Sequence, residues 1–116
     1  MKKFVILLIA LMFCFVNVNE GECKVLKTEN VNIVGEPKMN YDEAARISFY
    51  ELHVGNEIII VGFNPWINDS LKMCLDKNKK VRLQGKLNTI EEKYNGKVVY
   101  HGRQFDSETV KCTPVK

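Results

Sequence analysis

The stretch of residues 81–105, VRLQGKLNTIEEKYNGKVVYHGRQF, constrains the fold more than any other part of this chain. Its first seven residues alternate between apolar and polar side chains, which is the period of a strand with one buried face. Gly85 occupies an inward position of that row, and a glycine there weakens a strand unless a bend or close packing requires it. Asn95 and Gly96 favour the left-handed backbone of a hairpin turn. The stretch therefore predicts a β-hairpin whose first strand bends.

Three earlier segments also have the composition of strands. VNIVG alternates apolar and polar residues and ends at a Gly, with Pro37 close behind it. In RISFYELHV the apolar phase slips between Phe49 and Leu52, which indicates a bulge. EIIIVGF is apolar almost throughout, as expected for a strand covered on both faces, and the Gly-Asn pair before it predicts a tight hairpin turn. These segments are residues 31–35, 46–54 and 57–63.

One short helix is predicted between the third and fourth strands, within NPWINDSLKMCLDKNKK. Asn68 or Asp69 can cap it, because a side-chain oxygen satisfies free backbone amides at a helix start. Leu71, Cys74 and Leu75 then fall on one face. The lysines that follow suit the negative end of the helix dipole. The predicted order is therefore three strands, a helix and two strands.

The N-terminus, MKKFVILLIALMFCFV, has two lysines followed by an apolar run. The run is shorter than the roughly 20 residues that span a bilayer, so it predicts a signal peptide over residues 1–22. A single domain of residues 23–116 follows, exported to the periplasm or outside a bacterial cell, with no stable membrane span after cleavage. Two alternatives remain open: an uncleaved signal that anchors the chain in the membrane, and a lipid attached to Cys23. Loss of Cys14 with the signal leaves three cysteines, which favours one disulfide and one cysteine left over.

The segments VNIVG and VRLQGKL, each with a glycine at its bend, and the hairpin NTIEEKYNGKVVYHG resemble the OB-fold. The small exported bacterial OB-fold proteins are the most similar group, and the resemblance covers most of residues 31–105. It implies an all-β domain with one short helix: a five-stranded closed Greek-key barrel whose helix lies between strands 3 and 4. The sequence departs from nucleic-acid binders of this fold because strands 2 and 3 lack a dense row of exposed aromatic residues.

The same resemblance implies a disulfide pairing. In an OB-fold barrel the helix closes one end, the last strand runs toward that end, and the first strand starts at the other. Cys74 on the helix and Cys112 after the last strand would then meet. The alternative is a Cys23–Cys112 disulfide, because connectivity does not follow from the sequence alone.

No catalytic or metal-binding pattern is found in the sequence. His53 and His101 lie within strand patterns, where a histidine is usually a surface or packed residue. The cysteines lack the C-x-x-C spacing of a zinc site. Glu91 and Glu92 are adjacent carboxylates near a hairpin tip, where solvated charge is ordinary. We therefore expect a protein that is not an enzyme and that uses no metal or cofactor.

The resemblance places a ligand across strands 2 and 3 and the neighbouring hairpin loops. We expect a binding or accessory module that contacts a protein or a small ligand there, with Phe49 in the core instead. Aromatic and basic groups together also suit single-stranded nucleic acid, the first alternative, although an exported protein meets little of it. An unrecognised small enzyme is the second alternative. The candidate contact residues are Tyr50, Trp66, Arg82, Lys93, Tyr94, Lys97, Tyr100 and Arg103.

Overall fold

The computed structural model describes residues 21–43 and 46–116, so the predicted signal peptide lies outside the described residues except for its last two. No helix in these two ranges is long and apolar enough to cross a membrane. The elements are β1 (Gly21–Asp42), β2 (Ile47–Val54), β3 (Glu57–Phe63), a 3-10 turn (Asn64–Trp66), α1 (Asp69–Lys77), β4 (Val81–Tyr94), β5 (Lys97–Phe105) and β6 (Lys111–Pro114). A mostly β fold with one helix between the third and fourth strands is confirmed. The prediction missed β6, which pairs with the start of β4.

The strand pairings run in a ring, in the order β1-β2-β3-β5-β4 and back to β1. All neighbours are antiparallel except β3 and β5, which are parallel and share the pair Ile60–Gln104. The ring closes because β1 has two partners. Its residues 21–35 pair with β4 and its residues 36–42 pair with β2.

Gly35 stands at the point where β1 changes partner. A Cβ atom on Gly35 would lie 2.7 Å from the carbonyl oxygen of His53 and 2.8 Å from the Leu52 side chain. Only glycine therefore lets β1 pass this close to β2. The expected end of the first strand at Gly35 and Pro37 is wrong, since β1 continues to Asp42. Residues 36–42 have β2 as their strand partner in the pairing of the described residues, and proline is tolerated mainly where a strand has a partner on one side.

The main hydrophobic cluster joins β2, β3, β4, β5 and the helix. Val81, Leu83 and Leu87 of β4 are fully buried in it, while Arg82 and Lys86 between them are exposed. This confirms the inward row read from the sequence. Burying one such aliphatic side chain stabilises the fold by about 1.5–3 kcal/mol, so these three residues anchor β4 in the ring.

A second cluster lies on the opposite side of β3. That strand sends Ile59 and Val61 into the main cluster and Ile60 and Phe63 into the second one. The prediction of a strand covered on both faces is therefore confirmed. Phe49 is buried in the second cluster, as expected of a core residue. The cluster consists of Ile47, Phe49, Ile60, Phe63 and Ile90, with Cys23 and Tyr100 packed against it.

The change of face along β3 comes from a bulge. The β2–β3 register shifts between Tyr50, which pairs with Gly62, and Glu51, which pairs with Ile60. The extra residue is Val61 on β3. The register shifts at Tyr50, where the sequence predicted a bulge, but the extra residue belongs to β3. Phe49 and Tyr50 lie in different clusters because neighbouring strand residues face opposite sides, whereas Ile60 and Phe63 share one cluster because of the bulge.

The helix is tied to the sheet by a disulfide. Asn68 is the N-cap, because its Oδ1 accepts a hydrogen bond of 2.8 Å from the Leu71 N–H. Cys74, about one turn after Leu71, forms a disulfide with Cys112 of β6, with 6.1 Å between their Cα atoms. The Cys74–Cys112 pairing is confirmed and the Cys23–Cys112 alternative is wrong. No cysteine in the described part of the chain is a free thiol, contrary to the expectation of one left over.

We predict that Gly85→Val destabilises the fold. A Cβ atom at Gly85 would lie 2.8 Å from the Cα of Val110 and 3.1 Å from the carbonyl oxygen of Thr109, so β4 must allow this backbone to approach. Overpacking of this kind costs about 1–3 kcal/mol, measurable by urea unfolding. Gln84→Val, on the exposed face of the same strand, is the control. Equal unfolding midpoints for the two variants would contradict the close packing at Gly85.

Candidate functional site

A pocket with a volume of about 440 Å³ opens between β3 and the end of β5. We name it the Trp66 pocket, and it is lined by residues 60–63, Trp66, Asn88 and residues 104–108. This volume falls within the range of about 300–1,000 Å³ that is typical of small-ligand sites. The pocket is therefore large enough to hold a small molecule or one side chain of a larger partner.

The pocket lies where β5 ends, because β5 stops at Phe105, one residue after the pair Ile60–Gln104, whereas β3 continues to Phe63. Ser107, in the turn after β5, crosses part of the gap and packs against Gly62. A Cβ atom at Gly62 would lie 3.2 Å from the Cβ of Ser107 and 2.6 Å from the Ile67 side chain. A glycine at this place thus sets how closely the turn approaches β3.

Hydrogen bonds fix the turn that forms the far wall of the pocket. The carbonyl oxygen of Asp106 accepts from the N–H groups of Thr109 and Val110, at 3.0 and 3.2 Å. The side-chain Oδ1 of Asp106 accepts a hydrogen bond from the Glu108 N–H at 3.1 Å. The backbone N–H of Asp106 donates to the Lys86 carbonyl oxygen at 2.9 Å. The wall is therefore held in place before any ligand arrives.

Trp66 forms the rim of the pocket and is 61% exposed. It is the only tryptophan in the chain. Its ring meets the ring of Phe63 edge to face, with 5.3 Å between centroids and 77° between planes. Phe63 in turn packs against Phe49, at 6.4 Å. Phe63 therefore supports the ring of Trp66, and most of the Trp66 side chain remains exposed to solvent.

The ionisable groups of the pocket are all acidic. Asp106 and Glu108 line it, and no lysine, arginine or histidine does. Across residues 21–43 and 46–116, neither carboxylate forms an ion pair with a basic side chain. Gln104, another lining residue, has a buried Oε1 atom that accepts no hydrogen bond from the described residues. The pocket therefore offers hydrogen-bond acceptors and negative charge.

Of the eight residues proposed from the sequence, only Trp66 lines this pocket. Tyr50 is buried in the main cluster, and its hydroxyl donates a 2.9 Å hydrogen bond to Asp76 on the helix. Burial, followed by the contact with Asp76, raises the pKa of Tyr50 to about 12. Tyr100 lies over Gly102 beside the second cluster, and burial raises its pKa to about 12 as well. Both tyrosines hold parts of the fold together.

Arg103 joins three strands through its charge. Its Nε donates to Glu57 at 2.6 Å, a second nitrogen donates to the other oxygen of that carboxylate, and Glu29 lies 3.8 Å away. The hydrogen bond from Arg103 lowers the pKa of Glu57, and the same bond raises the pKa of Arg103. The positive charge of Arg103 is therefore matched by two carboxylates of its own chain.

The remaining four residues lie in two other places. Lys93, Tyr94 and Lys97 are exposed together at the β4–β5 turn, where Tyr94 pairs with Lys97. Arg82 is exposed on the outer side of β4 and donates a 2.9 Å hydrogen bond to Asn32. The structure therefore does not gather the eight candidates into one surface. The outer side of β2 and β3, expected to face a ligand, carries the buried Phe49, Ile60 and Phe63, of which Ile60 and Phe63 also line the Trp66 pocket.

Sequence reasoning missed most of the pocket. Asn88, Gln104 and the turn of residues 106–108 gave no motif, because their common surface exists only where β3 and β5 are neighbours. Among the described residues, no group of three or more His, Cys, Asp or Glu side chains is placed to hold a metal ion.

Glu92 differs from the solvated charge that its position near a hairpin turn predicted. It is 4% exposed, and burial raises its pKa from 4.5 to about 7. The folded protein therefore keeps this proton over a pH range in which the unfolded chain has lost it. Stability must fall as the pH rises through that range, from about pH 4.5 to about pH 7.

Comparisons with known proteins found no matching protein family, no similar curated protein and no similar solved structure.

We predict that Glu92→Gln removes this pH dependence. A neutral amide cannot ionise, and one pKa unit corresponds to about 1.4 kcal/mol, so the variant should be about 1–3 kcal/mol more stable than the wild type at pH 8. The difference should be smallest near pH 4. Urea unfolding across this pH range measures it, with Glu91→Gln as the control. Parallel stability curves for wild type and Glu92→Gln would show that Glu92 titrates normally.

Proposed function

We propose that this protein is a small exported binding module of OB-fold-like architecture, without catalytic activity, which contacts a small ligand or a protein partner at the Trp66 pocket. The observation that carries the proposal is the position of Trp66. A tryptophan left 61% exposed, seated on Phe63 and opening onto a pocket, is the arrangement by which proteins anchor a ligand.

The OB-fold part of the proposal is supported by the order of the strands. The pairing ring β1-β2-β3-β5-β4, with the helix between β3 and β4, agrees with the barrel implied by the sequence resemblance. Relative to that resemblance, the ligand position shifts toward β5. Ile60 and Phe63 of the second cluster line the pocket from β3, and residues 104–108 line it from the end of β5 and the turn that follows.

Export is supported by the Cys74–Cys112 disulfide, since such bonds persist mainly in oxidising compartments. The disulfide closes a separation of 38 residues and links the helix to the last strand. A protein of about this size has a small core, so a covalent link outside the cytoplasm adds useful stability.

Binding is supported by the chemistry of the pocket. The pocket combines the exposed ring of Trp66 with the hydroxyl of Ser107 and the carboxylates of Asp106 and Glu108. Its polar groups suit recognition of a ligand by hydrogen bonds and charge.

A second candidate function is binding of single-stranded nucleic acid on another face. Arg82 and Lys86 are exposed on the outer side of β4, and Lys111 is exposed on β6 beside them. Positive charge of this kind tracks a phosphate backbone. Stacking aromatics are the other requirement, and the neighbouring residues on β1 at this face are Asn30 and Asn32. The Trp66 pocket is therefore the better supported site.

We predict that ligands bind at the Trp66 pocket and that Trp66→Ala weakens them at least about tenfold, since anchor residues often contribute 2 kcal/mol or more. A fragment and peptide screen by two-dimensional NMR should perturb the amides of residues 60–63 and 104–108. Met73→Ala is the control. It removes an exposed apolar side chain from the helix, outside the pocket, and should bind the same ligands as the wild type does. Binders that perturb only the outer face of β4, or none that perturb the pocket, would contradict the proposal.

A further inference from the structure

We propose that the Trp66 pocket selects cations, and that its ligand presents a guanidinium or ammonium group on an apolar stem. This inference rests on the proposed function, because it names the chemistry of the ligand that the same pocket would bind. The two sources of such a group are a free amine and an arginine or lysine side chain of a peptide.

The first argument is charge. Asp106 and Glu108 line the pocket, and in the described part of the chain no basic side chain pairs with either carboxylate. The whole protein nevertheless carries a net charge of +3. The two carboxylates make the pocket locally negative although the protein as a whole is positive. The pocket therefore favours cationic ligands, which the net charge alone would not predict.

The second argument is that a hydrogen bond restrains the carboxylate of Asp106. The Oδ1 of Asp106 is used inside the turn, where it accepts from the Glu108 N–H. The same hydrogen bond restrains the orientation of the Asp106 carboxylate, and Asp106 is a lining residue of the pocket. A preorganised carboxylate binds a charged N–H donor more strongly than a mobile one, because less side-chain freedom is lost on binding.

The third argument is the aromatic rim. Tryptophan is the best of the aromatic side chains at attracting a cation to its face. Trp66 contacts Phe63 edge to face, and most of its surface remains exposed. An apolar stem can lie against Phe63 and Trp66 while the cationic head reaches the carboxylates, since all of them line one pocket.

The fourth argument is the unmatched acceptor. The Oε1 atom of Gln104 is buried and accepts no hydrogen bond from the described residues. A buried acceptor without a donor costs about 1–3 kcal/mol. Guanidinium and ammonium groups carry several N–H donors and no acceptor, so they match a pocket that offers acceptors. An anionic or acceptor-rich ligand would bring no donor for the carboxylates of Asp106 and Glu108, which line the pocket.

The first experiment varies the ligand and leaves the protein unchanged. Acetyl-arginine amide is compared with acetyl-citrulline amide, which has the same shape but no charge, and with acetyl-glutamate amide. Fluorescence of Trp66, the only tryptophan, reports binding directly. The arginine probe should bind at least about tenfold more tightly than citrulline, the loss expected for charge-assisted hydrogen bonds. Equal affinity for arginine and citrulline would overturn the inference.

The second experiment varies the pocket. Asp106→Asn with Glu108→Gln keeps the size of both side chains and the Oδ1 acceptor of the turn but removes both charges. Affinity for the arginine probe should fall at least about tenfold, with no change for citrulline. The matched control is Glu36→Gln with Glu43→Gln, two exposed acids outside the pocket, which changes net charge equally. An equal loss of affinity in both double variants would show only a general effect of charge.

A third comparison separates the two sources of the cation. A capped peptide with one central arginine and the free diamine 1,4-diaminobutane are titrated side by side. Tighter binding of the peptide indicates a protein partner, and tighter binding of the diamine indicates a small molecule; both support a cation pocket. If neutral fragments perturb the pocket in the NMR screen but no cation does, the inference fails and the proposed function stands. If no probe perturbs it, both fail.

Discussion

The structure depends on β1 pairing with two different strands. Residues 21–35 lie against β4 and residues 36–42 lie against β2, so one long strand closes the ring. The change of partner requires Gly35, where any side chain would meet the backbone of His53. Gly85 has a related role on β4, where it admits the backbone before β6. These two glycines allow a short chain to surround its main cluster.

Ring closure also creates the candidate site. The β1 and β4 contact is long, whereas the closure between β3 and β5 is the single pair Ile60–Gln104. β5 stops one residue after that pair, and the turn of residues 106–108 and Trp66 border the opening. Gly62 and Ser107 pack closely at this border, because a Cβ atom at Gly62 would lie 3.2 Å from the Cβ of Ser107. The helix, joined to β6 by its disulfide, leaves this gap open.

Much of the fold could be predicted because it is encoded in local patterns. The inward row of β4 and the two-sided burial of β3 follow from apolar spacing, whereas the predicted bulge proves to have its extra residue on β3. The length of β1 could not, since Pro37 normally ends a strand and is tolerated only at an edge. The site was mostly missed, because its polar lining is contributed by segments far apart in sequence. Trp66 was a candidate because a tryptophan in a predicted loop either caps the core or anchors a partner, and the structure leaves it 61% exposed.

The most direct test of this account is a residue-resolved NMR measurement of contacts between strands. The ring predicts backbone NOEs from the first part of β1 to β4, from its second part to β2, and between Ile60 and Gln104. It also predicts slow amide exchange in both parts of β1, with fast exchange at Trp66 on the pocket rim. NOEs from β1 to only one partner, or none between β3 and β5, would contradict the closed ring and with it the Trp66 pocket.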